Sequence, residues 1–299
     1  MEKTLTIFTP TYNRAYILPQ LYKSLCAQTN HDFLWLIIDD GSTDATEEMV
    51  RKWMEENFIE ITYQYQENAG KMAAYNTALA LTVTPLFMCV DSDDSLVVDA
   101  VNAIAETYRL TRKLENLSGL VSYKGRADGS VLGTVFPNNL EQSPLSKLYE
   151  AGFEGDTTLV FKTAIAKRFP FPTLPGEKFI SEMYVYNQID EKYDLKLLRK
   201  VLTICNYLED GYTRNGYPLV KNNPMGWALI YQQKKASAST RRKRFKYAAY
   251  GGSYVLMSSK EARKAAWERG LYHIGMVDAI AVPASLLLYL RRKWVHRNE

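Results

Sequence analysis

Asp91, Asp93 and Asp94 stand within four positions of one another, directly after the apolar run Leu86-Phe87-Met88-Cys89-Val90. Carboxylates this close repel, and leaving them desolvated and unpaired costs several kcal/mol, on the order of the penalty for any buried ion. A divalent cation resolves that conflict. Mg²⁺ or Mn²⁺ takes few protein carboxylates and fills its other positions with water and substrate phosphate oxygens. The positive charge then arrives with a diphosphate ligand. A plainer reading of the same residues is a helix start, with Asp94 or Ser95 as its N-cap and the acids favouring the helix dipole.

Two further polar clusters have chemistry to offer. In Asp39-Asp40-Gly41-Ser42-Thr43-Asp44, Gly41 permits a tight turn and Ser42, Thr43 or Asp44 can cap the next helix. That leaves Asp39 and Asp40, whose carboxylates can accept from a base N–H or a ribose hydroxyl. The other cluster is Pro10-Thr11-Tyr12-Asn13-Arg14. No G-x-G-x-x-G follows the first strand and no G-x-x-x-x-G-K-[ST] occurs anywhere. Both common phosphate cradles are missing, which leaves a metal as the phosphate holder.

Positioning these clusters is the work of a regular strand–helix alternation. Short β-rich runs at 5–9, 34–39, 61–66, 86–90 and 120–123 are separated by helical spacing at 17–28, 44–57, 71–81 and 97–114. This rhythm predicts an α/β fold with a mostly parallel sheet and helices on both faces. Ligands in such sheets bind beyond the carboxyl ends of the strands. All three clusters fall at those ends, so they are expected to meet in one crevice. From Arg126 to Gly176, frequent Gly, Pro and Asn predict hairpins and loops over one edge of it.

The segments TIFTPTYNR, LIIDDGSTD, ENAGKMAAYNTAL and CVDSDD occur in the order and spacing of glycosyltransferase family 2. The chain resembles these inverting nucleotide-sugar transferases over about residues 3–125. The resemblance implies a GT-A fold (Rossmann-like) and a metal-dependent transfer from a nucleotide-sugar, usually UDP-linked, to a hydroxyl acceptor. It implies that Thr9, Tyr12 and Arg14 line a nucleoside pocket and that Asp39 reads the base. The Asn68-Ala69-Gly70-Lys71 loop would reach the base and diphosphate. Asp91, with Ser92 beside it, would contact ribose or sugar, and Asp93 would ligate Mn²⁺ or Mg²⁺.

An inverting transfer needs a general base for the acceptor hydroxyl. In the family this is an acid at a helix start after the central strands, in an x-Glu-Asp or related pattern. Here FISEMYVYNQI occupies that place, so the resemblance points to Glu182, with Met183 standing where the second acid would be. Asp156 is the alternative base. Glu209 and Asp210 are further acids that could bind acceptor hydroxyls.

The 299 residues have an ordinary globular composition, 46% hydrophobic and 23% charged. The expected layout is a GT-A catalytic domain over 1–223, with a nucleotide-sugar half at 1–125 and an acceptor-side half at 126–223. A basic helical extension over 224–299 follows. From Lys234 to Glu299 there are fifteen Lys/Arg against four Asp/Glu, a net +11, leaving −7 for residues 1–233 out of the chain's +4. The acidic first part argues against nucleic acid as a partner. The apolar stretch 279–290 is too short to span a bilayer and ends in Arg291-Arg292-Lys293-Trp294. That pattern suits an interfacial helix on anionic lipid. The expected acceptor is then a glycan or lipid-linked glycan of bacterial surface polysaccharide synthesis, reached at the inner face of the plasma membrane. Cys26, Cys89 and Cys205 are too widely spaced for a disulfide framework or zinc pattern, and no secretory leader precedes the first strand. Both features are expected of a cytoplasmic protein. Competing readings are a nucleotidyltransferase, an aspartate-nucleophile phosphatase, and a non-catalytic membrane-surface binding protein.

Overall fold

The computed structural model describes residues 3–205 and 216–295. They fall into two compact units, Met1–Pro170 with Val185–Glu209, and Phe171–Tyr184 with Asp210–Glu299. The first unit opens with the expected alternation: β1 (Leu5–Thr11), α1 (Leu18–Cys26), β2 (Phe33–Asp39), α2 (Thr46–Glu56), β3 (Ile61–Tyr65), α3 (Lys71–Leu81) and β4 (Leu86–Cys89). It continues with β5 (Ser95–Leu96), α4 (Ala100–Thr111), β6 (Leu117–Gly125), β7 (Gln142–Ser143), α5 (Leu145–Glu150), β8 (Thr157–Lys162) and α6 (Thr163–Ala166). The helix α7 (Met183–Asp190) and the long strand β9 (Asp194–Ile204) follow.

The strands form a nine-stranded sheet in the order β3-β2-β1-β4-β8-β6-β9-β5, with β7 also paired to β9. β1 pairs in parallel with both β2 and β4, β2 pairs in parallel with β3, and β6 pairs in parallel with β9. β8 runs antiparallel between β4 and β6. The continuous apolar run Phe33-Leu34-Trp35-Leu36-Ile37-Ile38 is what a strand covered by helices on both faces requires, and all but Leu34 are buried. β3, at the sheet edge, carries the polar Thr62 and Gln64 instead.

The largest core block lies around β2. Tyr22 of α1 stacks on Trp53 of α2 at 4.2 Å between ring centroids and on Trp35 at 6.1 Å. Trp35 donates its indole N–H to Thr9 Oγ1 at 3.0 Å, so this polar atom is satisfied inside the core. α2 ends where Asn57 adopts the left-handed conformation (φ 52°). The three cysteines are free thiols, each partly buried.

The second unit contains α8 (Gly216–Asn222), α9 (Pro224–Ala236), α10 (Arg241–Met257), α11 (Lys260–Glu268) and α12 (Met276–Val295). The segment Phe171–Tyr184 belongs with these helices. Glu177 accepts from the Met225 and Gly226 N–H groups at the start of α9, at 2.7 and 2.8 Å. Asn223 accepts from the N–H groups of Lys178 and Phe179 at 2.8 and 2.9 Å. Each carboxyl or amide oxygen here stands in for a missing helical or turn acceptor.

Candidate active site

Parallel pairing puts the carboxyl ends of β1, β2 and β4 side by side. Thr11 is in register with Asp39, and Asp39 with Tyr65. Because β8 runs the other way, its beginning lies at the same rim. Thr157 pairs with Tyr123 near the end of β6, and the Asp156 carbonyl accepts from the Lys124 N–H at 3.3 Å. Asp156 itself is exposed there.

The rim loops are tied together by a chain of side-chain contacts. Asn13, at φ 53°, donates its N–H to Ser42 Oγ at 2.8 Å and accepts from the Thr43 N–H at 2.8 Å. Asp44 Oδ2 accepts from the Ala15 N–H at 3.0 Å. The first and second clusters are thus one unit. Asp40 reaches onward: Oδ1 accepts from Gln66 Nε2 and the Ala69 N–H at 2.7 and 2.9 Å, and Oδ2 from the Gly70 N–H at 2.8 Å. Asn68 donates back to the Asp40 carbonyl at 2.8 Å. Gly41 makes this approach possible, since its φ is 91° and a Cβ there would stand 3.0 Å from the Asn68 nitrogen. Gly70, at φ 92°, then launches α3, whose first residue Lys71 places Nζ 2.7 Å from Asp91 Oδ1.

The three acids that follow β4 differ in environment. Desolvation raises the Asp91 carboxyl, but Lys71 and next Lys124 more than offset it and hold it below the ordinary carboxylate range. Asp94 is 3% exposed and forms an ion pair with Lys124 at 2.7 Å. Desolvation favours neutral Lys124, yet Asp94 and Asp91 override it and push the ammonium well above its usual value. Asp93 goes the opposite way. Burial raises it, and repulsion from Asp91 and Asp94 raises it further, against a smaller pull from Arg14. The Cys205 thiol beside this cluster is pushed up to about 12, by burial and then by the Asp94 charge.

The helix-start reading of these acids is overturned. Asp94 is followed by β5, which pairs with β9, and α4 begins only at Ala100. No helix dipole is there to favour the acids. The donor set fits a hard cation: a divalent ion beside Asp93 would offset the repulsion from Asp91 and Asp94 that raises its carboxyl. No group of three His, Cys, Asp or Glu forms a ready-made cage among the described residues.

Three of the expected residues are buried. Asp39 is 0% exposed; Oδ1 accepts from the Ser42 N–H and Oδ2 from the Tyr63 hydroxyl, both at 2.7 Å. It fixes the turn carrying Ser42. Thr9 is equally buried against Trp35. Ser92 is buried between the acids. Tyr12, by contrast, is 50% exposed at the rim. Arg14 stacks on Tyr16 with its charge felt at both Asp91 and Asp93. Glu182 immediately precedes α7 and belongs to the second unit. Glu209 and Asp210 lie outside the described residues.

Asp40, read from the sequence as a possible ligand acceptor, organises the Asn68–Lys71 loop. Lys124, which pairs with Asp94, is not singled out by the sequence reading. The signal for Lys124 is a cation at the end of an otherwise buried strand, Leu117–Gly125, where a lone charge needs a partner.

Comparison with known proteins agrees with this geometry. The family model described as glycosyl transferase family 2 matches residues 6–156. A teichoic acid poly(glycerol phosphate) polymerase of Staphylococcus epidermidis is 31% identical over 119 residues, covering 40% of this chain and 16% of the relative. The chain therefore spans a small share of that relative's length. The crystal structure of S. aureus TarS 1-349 in complex with UDP-GlcNAc superposes with a TM-score of 0.63 at 17% identity, covering 94% of this chain and 79% of that one. The mannosyltransferase PcManGT from Pyrobaculum calidifontis, in complex with GDP-Man and Mn²⁺, gives 0.53 at 18% identity, covering 98% and 83%. The sheet order, the helices on both faces and these matches make the fold GT-A. With the family pattern covering half of its length, the chain belongs to glycosyl transferase family 2.

Proposed function

We propose that the protein is a metal-dependent inverting glycosyltransferase that moves a hexosyl or N-acetylhexosaminyl group from a UDP-sugar to a hydroxyl acceptor. The observation that carries this reading is the set of contacts Asn13–Ser42, Ser42–Asp39, Asp40–Gly70, Lys71–Asp91 and Asp94–Lys124 along neighbouring strand ends. These contacts include the carboxylate cluster, whose mutual repulsion a cation would relieve. Binding of UDP-GlcNAc by TarS and of GDP-Man with Mn²⁺ by PcManGT supports a nucleotide-sugar donor and a divalent ion.

In this reading Thr9, Tyr12 and Arg14 line the nucleoside pocket and Asp39 reads the base. Asn68 and Lys71 serve the base and diphosphate side, and Lys71 contributes a point charge rather than a fork. Asp91 and Ser92 position ribose or sugar, and Asp93 would hold Mn²⁺ or Mg²⁺. The cation, when bound, supplies charge neutralisation for the departing diphosphate. The acceptor hydroxyl attacks the anomeric carbon from the opposite side, its proton passing to a carboxylate. Glu182 is the proposed base. Asp156 is the second candidate, with its position on the rim in its favour. The acceptor is a glycan or lipid-linked glycan of surface polysaccharide synthesis, used by a cytoplasmic enzyme in peripheral contact with anionic membrane.

Incubating the full chain with UDP-sugars, MnCl₂ and glycan acceptors tests the reading. Release of UDP with an inverted anomeric centre in the product supports it. Release of pyrophosphate instead would make the protein a nucleotidyltransferase, and absence of turnover with every donor would contradict an enzymatic role.

A further inference from the structure

In water a helix should bury its large apolar side chains and expose its small and polar ones. α12 departs from this, although Val277 and Leu288 do pack, partly buried, on its α10 side. Its inner face meets α10 through small residues: Ala281 packs with Ala248 and Ala249, and a Cβ on Gly252 would stand 2.4 Å from Ser285 Oγ. Its outer face presents Met276, Ile280, Val282, Leu286, Leu287 and Leu290, each between 46% and 82% exposed. These positions recur at helical spacing, so they form one continuous stripe with no charge among them. An uncovered apolar face of this kind marks an interaction surface.

The charges beside the stripe say what covers it. Beyond Leu290, Arg291 and Lys293 are exposed, while Arg292 turns back with its guanidinium 3.8 Å from the centre of the Tyr254 ring. At the start of α10, Arg241, Arg242, Lys243, Arg244 and Lys246 are all exposed. Cations in a first helical turn oppose the helix dipole and repel one another. An anionic surface would stabilise that arrangement. A second copy of the chain would set two such surfaces, each carrying net +11 over residues 234–299, against each other across a two-fold contact. The apolar stripe is about 21 Å long from Met276 to Leu290, short of the ~30 Å hydrocarbon core. No described helix is long and apolar enough to cross a membrane.

We infer that the outer face of α12 lies in the interface of an anionic lipid bilayer, its Ile and Leu side chains among the acyl chains and the cations of α10 and of the α12 end at the headgroups. The inference gives the proposed membrane contact a surface. It rests on the second unit alone and stands whether or not the donor is a UDP-sugar.

The test is co-sedimentation of the full chain with phosphatidylcholine vesicles and with phosphatidylcholine vesicles containing phosphatidylglycerol, alongside UDP binding on the same preparations. Partitioning is expected to be at least about tenfold stronger on the anionic vesicles and to weaken with salt, since the basic residues are drawn to anionic headgroups. Ile280→Glu with Leu287→Glu, both at exposed positions, is expected to lose about tenfold or more with an unchanged thermal midpoint and unchanged UDP binding. Arg242→Glu with Arg244→Glu should remove the preference for anionic lipid. If the wild-type chain ignores both vesicles, or the Glu variants bind as the wild type does, the inference fails. It fails equally if the same variants turn a dimer into a monomer in ultracentrifugation while vesicle binding is absent. That outcome would give the stripe to a second copy.

Discussion

Lys71 Nζ lies 2.7 Å from Asp91 Oδ1, joining the first residue of α3 to the first of the three acids after β4. Through this pair the loop that Asp40 anchors becomes part of the carboxylate site. Lys71 also opposes the desolvation that would otherwise raise Asp91. Lys71→Ala is therefore expected to weaken UDP-sugar binding by about tenfold, or ~1.4 kcal/mol, with the fold intact by circular dichroism. Unchanged affinity in calorimetry would mean that the pair has no part in the site.

Asp94 and Lys124 make a different kind of pair, because the Asp94 side chain is 3% exposed and the Lys124 side chain 19%. Removing the cation alone leaves a buried charge. Lys124→Met should lower unfolding stability by about 3–5 kcal/mol in urea, and Asp94→Asn with Lys124→Met should recover much of the loss. Equal losses in the single and double variants would show that the two residues are not coupled.

Asp44 connects the site to acid stability. Desolvation raises its carboxyl, but the Thr46 hydroxyl and the Ala15 and Thr46 N–H groups hold it below the ordinary carboxylate range. A carboxyl depressed on folding contributes stability that is present above its unfolded value of about 3.9 and is lost as pH falls through the folded value. Asp44→Ala, which removes the bonds to Ala15 and Thr46, should cost about 1 kcal/mol at neutral pH. The gap from wild type should narrow below about pH 3.9. A gap that stays constant down to acid pH would contradict this assignment.

The proton acceptor can be found by comparing Glu182→Gln with Asp156→Asn. Loss of the base should reduce kcat by about 10²–10⁴-fold while UDP affinity is retained. The other substitution should change kcat far less. If neither reduces kcat, the base lies elsewhere, and the acids at positions 209 and 210 become the next to test.

Much of this site is legible in the sequence because parallel sheets bind at strand ends. The strand–helix rhythm locates β1 to β4 within a residue or two, and Lys71 begins α3 at the expected position. What the sequence hides is direction and depth. Nothing in the order of residues shows that β8 runs antiparallel and so carries Asp156 to the rim. In the Asp39-Asp40 pair, alternation along the strand says only that the two side chains point apart. It does not show that Asp39 is closed in by Ser42 and Tyr63 while Asp40 builds the neighbouring loop. The region from Val97 to Asp99 reads as helix by its apolar spacing, yet β5 pairs with β9 just before it and delays the helix to Ala100. Long-range pairing overrides local propensity there.

The most direct measurement is calorimetric titration of the full chain with UDP, with and without MnCl₂, repeated on Asp93→Ala. Saturable one-site binding that strengthens with Mn²⁺ in the wild type, and loses that Mn²⁺ dependence in the variant, is the expected result. No UDP binding with Mn²⁺ present, or binding of equal strength in both proteins at every Mn²⁺ concentration, would contradict a cation-dependent nucleotide site at these strand ends.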